Sequence, residues 1–170
     1  MDTTPLRDAY GAFLDAAATV AAHAGGHGTV PPPGEWNDRQ ILAHVSLISA
    51  STVAVVASVA SGALPTYDNR MSQDPWTIER VIRQAAGSAG LAERIRRQGE
   101  ALCALGGSAL TDEELGTLVP ALLVSNGELL VNQPMPLRDI IGGFAAAELP
   151  GHSRQLLALL PDPALDASAP

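Results

Sequence analysis

His44, Glu148 and His152 are the side chains whose types and spacing best suit chemistry in this sequence. His44 lies in Trp36-Asn37-Asp38-Arg39-Gln40-Ile41-Leu42-Ala43-His44-Val45, at the start of an otherwise small and apolar segment. Glu148 and His152 stand just over one helical turn apart, so a continuous helix presents both on one face. Two imidazoles and a carboxylate suffice to hold a divalent metal and leave a position open. Such a metal can activate a nucleophile or polarise a carbonyl. The same residues also suit a plainer reading. Glu148 and His152 could be an i, i+4 ion pair worth about 0.3 kcal/mol, and a buried His44 could be satisfied by a serine or a carbonyl.

Gln40 and Gln155 lie about one turn from His44 and His152, and are candidates to orient the ligand rings. Arg154 could contact an anionic substrate, and Ser49 and Thr52 could line a substrate cavity. His23 and His27 border a Gly- and Pro-rich run and read as solvated loop residues. Cys103 reads as a small buried residue, since no histidine lies near it in sequence.

The elements that must position these residues are mostly helical. Pro5 to His23 carries a helical stripe of Leu6, Tyr10, Phe13, Leu14 and Ala17. A second helix starts at Asn37, an N-cap completed by Gln40 in a capping box, with Trp36 packing on Ile41 as a staple. It ends near Gly62 and Pro65, and a polar loop spans Thr66 to Asp74. Asp74-Pro75 starts a third helix running through Ile78, Leu91 and Leu102, with Gly87 and Gly90 marking a bend or a close contact. Thr111 to Glu114 is a short capped turn. Leu122 to Val131 reads as a β-hairpin about Asn126-Gly127, stopped by Pro134 and Pro136. The last helix spans Leu137 to Leu160, and Pro150 predicts a kink or a fresh start between Glu148 and His152. The sequence thus predicts an all-α four-helix bundle with a short hairpin before the last helix, a domain over 1–161 and a flexible tail over 162–170.

Composition narrows the function. The chain has 170 residues and a net charge of −8, enough for one domain with a substantial core. It is acidic and has no basic patch, which argues against nucleic-acid binding. It has no Lys, so it cannot form a lysine Schiff base. A lone Cys103 makes no internal disulfide. The polar start, Met1-Asp2-Thr3-Thr4-Pro5, is unlike a secretory leader, and a cytoplasmic protein is expected. Ile41 to Leu64 is long enough to cross a bilayer. His44, its serines and threonines, and the missing aromatic belts favour a buried central helix instead.

Two segments carry a resemblance. Trp36 through Val45 and Glu148-Leu149-Pro150-Gly151-His152-Ser153-Arg154-Gln155, with the apolar run after it, resemble the DinB-like superfamily. Within it they are most similar to the N-terminal domain of mycothiol-dependent maleylpyruvate isomerases and related thiol transferases. The order of elements matches over essentially the whole chain, but only these two motifs carry the likeness. The resemblance implies a four-helix bundle with His44, Glu148 and His152 as ligands to zinc or nickel. Many members carry a third histidine where this chain has Glu148, and a glutamate there favours the isomerase branch.

The activity implied is S-transfer, or cis–trans isomerisation of a small electrophile with mycothiol or a similar thiol. A composition without Lys and rich in Ala and Arg resembles that of high-GC actinobacterial proteins, which is consistent with mycothiol. The isomerases carry a further C-terminal domain, whereas this sequence ends after the bundle. The competing reading is a metal-free pocket protein, either a small-molecule-binding module or a biosynthetic cyclase or isomerase that uses no thiol. Either way the expected partner is a small molecule, with the apolar hairpin as a candidate homodimer contact.

Overall fold

The computed structural model describes residues 1–24, 29–125 and 127–161. His27, Asn126 and the tail 162–170, for which a solvated loop, a hairpin turn and a flexible end are expected, lie outside the described residues. The chain is mostly helical with a small three-stranded sheet, in which the expected hairpin is joined by one further short strand.

Helix α1 (Thr4–Ala24) buries Leu6, Tyr10, Phe13 and Val20 along one stripe. His23 is in its last turn, exposed, rather than in the loop. Helix α2 (Asp38–Ala60) begins where local chemistry dictates. Asn37 Oδ1 accepts from the Gln40 amide at 3.0 Å, and Gln40 Oε1 accepts from the Asn37 amide at 3.0 Å. That satisfies two amides that no helical carbonyl can reach. Among the described residues α2 is the one helix long and apolar enough to cross a membrane, and 61% of its most apolar stretch is buried inside the protein.

The third predicted helix is two. Asp74 accepts from the Thr77 amide at 2.8 Å and starts α3 (Pro75–Gln84). The chain then turns extended at Ala85, and Gly87, the first residue of α4 (Gly87–Gly106), takes φ +71°. That left-handed backbone is the reason glycine stands there. A one-turn helix, α5 (Asp112–Leu115), follows the Thr111 cap.

Strand β1 (Tyr67–Asp68) lies in the segment read as a polar loop and pairs in parallel with β2 (Leu118–Ser125). Strand β3 (Glu128–Pro136) pairs antiparallel with β2 from Leu118↔Pro136 to Ser125↔Glu128. The hairpin is therefore longer than Leu122 to Val131. Pro134 and Pro136 do not stop it, because β3 is an edge strand where a missing N–H leaves no ladder bond unmade. Pro120 lies outside the two-residue reach of β1.

The last helical run changes pitch. Helix α6 (Leu137–Gly143) passes into a π-helical turn (Phe144–Glu148) and then α7 (Leu149–Leu157). The Leu149 amide reaches back to the Phe144 carbonyl, one residue further than in an α-helix. Pro150 has no amide to donate and would crowd the carbonyl four residues before it. The wider turn just upstream accommodates it, and α7 starts at Leu149 with Pro150 in its first turn, so the expected fresh start lies between Glu148 and His152 without a gap in the helical run.

Helix α2 packs on α4 and α3, and α1 packs on α4 and α7. Gly99 allows the closest approach of α4 to α1, since a Cβ there would sit 2.8 Å from the Tyr10 ring. Tyr10 cannot step aside easily, because it is buried and its hydroxyl donates to Ser49 at 2.9 Å. Gly99→Ala gains about 1 kcal/mol of helix propensity, but overpacking costs about 1–3 kcal/mol. Urea denaturation should show a net loss of stability, and a stabilised variant would contradict this packing.

Candidate metal centre

His44 projects from the second turn of α2, and Glu148 and His152 from the π turn and α7. His44 Nε2 and His152 Nε2 each lie 3.5 Å from Glu148 Oε1, and the two rings are 4.6 Å apart between centroids. One ligand atom from each residue falls within 4.8 Å of the others. A separation of 3.5 Å is long for a hydrogen bond. It suits a shared ion, since tetrahedral zinc with ligands at about 2.0–2.2 Å spaces them roughly 3.3–3.5 Å apart. The donor set of two imidazoles and a carboxylate is one zinc takes readily.

The orientation of each ring follows from its other nitrogen. His44 is only 2% exposed. Its Nδ1 lies 2.8 Å from the Ser72 carbonyl, an acceptor only, so Nδ1 carries the proton. Nε2 then faces Glu148 as a buried atom without a hydrogen-bond partner. Such orphaned atoms are rare in folded proteins. The Nδ1 of His152 donates to Gln155 Oε1 at 2.9 Å, turning its Nε2 toward the same carboxylate. When the rings also carry protons on Nε2, their attraction, His152 first and His44 next, holds the Glu148 carboxyl down at about 2 against the opposing effect of burial.

Ser72 is itself fixed. Its amide and hydroxyl donate to the Asn69 carbonyl at 3.0 and 2.6 Å. The Asn69 side chain grips the backbone of Val124, donating to its carbonyl at 2.9 Å and accepting from its amide at 2.8 Å. Gln73 Nε2 donates to the same carbonyl. The 3-10 turn Arg70–Gln73 thus ties the ring of His44 to β2.

The three residues line a pocket of about 660 Å³, walled in part by Trp36, Tyr67, Leu123, Met135 and Phe144. That size suits a small-molecule ligand. Trp36 was expected only as a staple, but its ring lies 4.9 Å from that of His44 between centroids. Tyr67 was hidden in the supposed loop. Burial pushes its phenol up to about 12, so it is a neutral donor at any ordinary pH.

Other expected contacts fall elsewhere. Gln40 serves the cap of α2, and both nitrogens of His44 are directed to other groups. Ser49 accepts from Tyr10, and Thr52 donates to the Ile48 carbonyl at 2.8 Å and so accepts from Tyr67 at 3.1 Å. Both are buried behind the pocket and do not line it. Ser49 lies about 140° round α2 from His44, and Thr52 about two turns further along it. Arg154 is exposed and outside the pocket wall. Cys103 is buried, and desolvation raises its thiol.

In comparisons with known proteins the chain matches no family model, no curated protein and no solved structure.

Nitrogen NMR of labelled protein should show His44 Nδ1 protonated at every pH at which the fold persists. An Nε2–H tautomer, with Nδ1 bare, would contradict the orientation assigned through Ser72.

Proposed function

We propose that this chain is a DinB-like four-helix bundle enzyme that uses a divalent metal and a thiol to transfer sulfur to, or isomerise, a small electrophile. The observation that carries the reading is the buried, orphaned Nε2 of His44, converging with His152 and Glu148 in a substrate-sized pocket. Zinc, or nickel, held there with an open position would favour the thiolate form of a bound thiol near neutral pH.

The protein's own groups have separable tasks in this reading. Ser72 and Gln155 hold the Nδ1 protons, which fixes both rings and makes each Nε2 a better ligand. Glu148 brings the negative charge that partly neutralises a dication. Trp36 covers His44 from the pocket side, and the apolar wall of Leu123, Met135 and Phe144 receives the carbon skeleton of the electrophile while displacing water. Tyr67 presents a phenol that stays protonated.

The chemistry balances without a redox partner. For isomerisation, sulfur adds to one alkene carbon and the π electrons move onto a conjugated carbonyl. The former double bond rotates, and expulsion of the sulfur restores the alkene and the thiol. For S-transfer, a C–S bond forms at an electrophilic carbon as its leaving group departs with the electron pair. Mycothiol or a similar low-molecular-weight thiol is the proposed co-substrate, in a cytoplasmic setting where thiols stay reduced.

Cobalt(II) added to metal-free protein tests this. Wild type should give visible bands of a low-coordinate site, and 2-mercaptoethanol should add a near-ultraviolet sulfur-to-cobalt band. His152→Ala should lose both. Visible bands with no response to thiol would remove the thiol from the account. No bands at all would leave a metal-free pocket protein.

A further inference from the structure

The pocket has a charge pattern that its metal chemistry does not explain. Among the described residues its lining includes Glu35, Asp139 and Glu148 and no Arg, and the chain has no Lys. Glu148 lies between the two histidines, with Oε1 3.5 Å from each Nε2. Glu35, on the stretch before α2, and Asp139, in the first turn of α6, are exposed where the pocket meets solvent.

Three guanidinium groups are placed elsewhere. Arg138, next to Asp139, donates to the Asp112 carbonyl at 2.9 Å. Arg70 is paired with Asp68, and Arg154 lies outside the wall. Among the described residues, Glu35 and Asp139 thus line the pocket beside an apolar wall that includes no arginine. The same pocket is lined by His44, whose buried Nε2 has no hydrogen-bond partner, which independently marks the cavity as a ligand site.

We propose that the rim selects a positively charged substrate, an amine whose apolar body lies along Leu123, Leu130, Met135, Ile140 and Phe144 and whose ammonium group meets Asp139 and Glu35. Its other end faces His44, Glu148 and His152. A dicarboxylate is disfavoured in this pocket, because it would meet three carboxylates and find no guanidinium to replace its hydration. Arg154, the one residue expected to greet an anion, is not there to do so. The proposal rests on the thiol-enzyme reading only in placing the substrate in the same cavity, because the rim charges act whether or not a metal is held.

The test is calorimetric binding of three para-substituted benzenethiols carrying aminomethyl, hydroxymethyl or carboxylate groups, to zinc-loaded and to chelator-treated protein. The aminomethyl probe should bind about tenfold tighter than the carboxylate, with the alcohol between them, as the sign of charge reverses at two exposed acids. The preference should shrink as salt is raised. The double variant Glu35→Gln, Asp139→Asn should abolish it and leave zinc content unchanged. Equal affinities, a preference for the carboxylate, or no binding of the aminomethyl probe would each overturn the proposal. Zinc content read on the same samples separates this outcome from failure of the metal site. Charge preference in protein that takes up no zinc when loaded would sink the metal reading and keep the rim.

Discussion

The contact on which the site depends is the hydrogen bond from His44 Nδ1 to the Ser72 carbonyl, 2.8 Å long and buried. A histidine this deep in α2 must satisfy two nitrogens with little water at hand. The Ser72 carbonyl takes one and thereby fixes where the other points. Ser72 owes its place to Asn69, and Asn69 owes its place to Val124 of β2. The small sheet is thus part of the site's geometry, because it holds the turn that aims the imidazole. Loss of one partner in such a chain leaves a buried polar group unpaired, at a cost of about 1–3 kcal/mol.

The second constraint is carried by the last helical run. Glu148 must face both His44, on α2, and His152, four residues on. The π turn from Phe144 to Glu148 resets the phase of the helix just ahead of Pro150, and the carboxylate then reaches both rings at 3.5 Å. A single π turn within an α-helix is a recurrent device at functional sites. Here it reconciles a proline with a four-residue ligand spacing. Leu149, fully buried between Glu148 and Pro150, anchors the junction in the core.

What could be read from the sequence was local. The Asn37–Gln40 cap, the Asp74-Pro75 start and the Thr111–Glu114 turn each depend on a few adjacent residues, and the structure contains all of them. The apolar runs flanking Asn126-Gly127 likewise marked a hairpin, though its length depended on which strand was left at an edge. The spacing of Glu148 and His152 marked them as a pair, and the Trp36–Val45 motif singled out His44. What escaped notice was set by distant partners. Strand β1 is two residues long and exists because β2 lies beside it. The partner of His44 Nδ1 is a backbone carbonyl 28 residues away, which no side-chain pattern announces. Ser49 and Thr52 share a helix with His44 yet face the tyrosines, and their type alone could not show which way they point.

Structure and chemistry meet in whether three converging donors are a ligand set or only a carboxylate between two rings. Elemental mass spectrometry on untagged protein, beside His44→Ala and Glu148→Gln, decides this most directly. One zinc or nickel per chain in the wild type, lost in His44→Ala and sharply reduced in Glu148→Gln, is the predicted result. Wild type that takes up neither metal after incubation with each, while remaining folded, would contradict the metal centre.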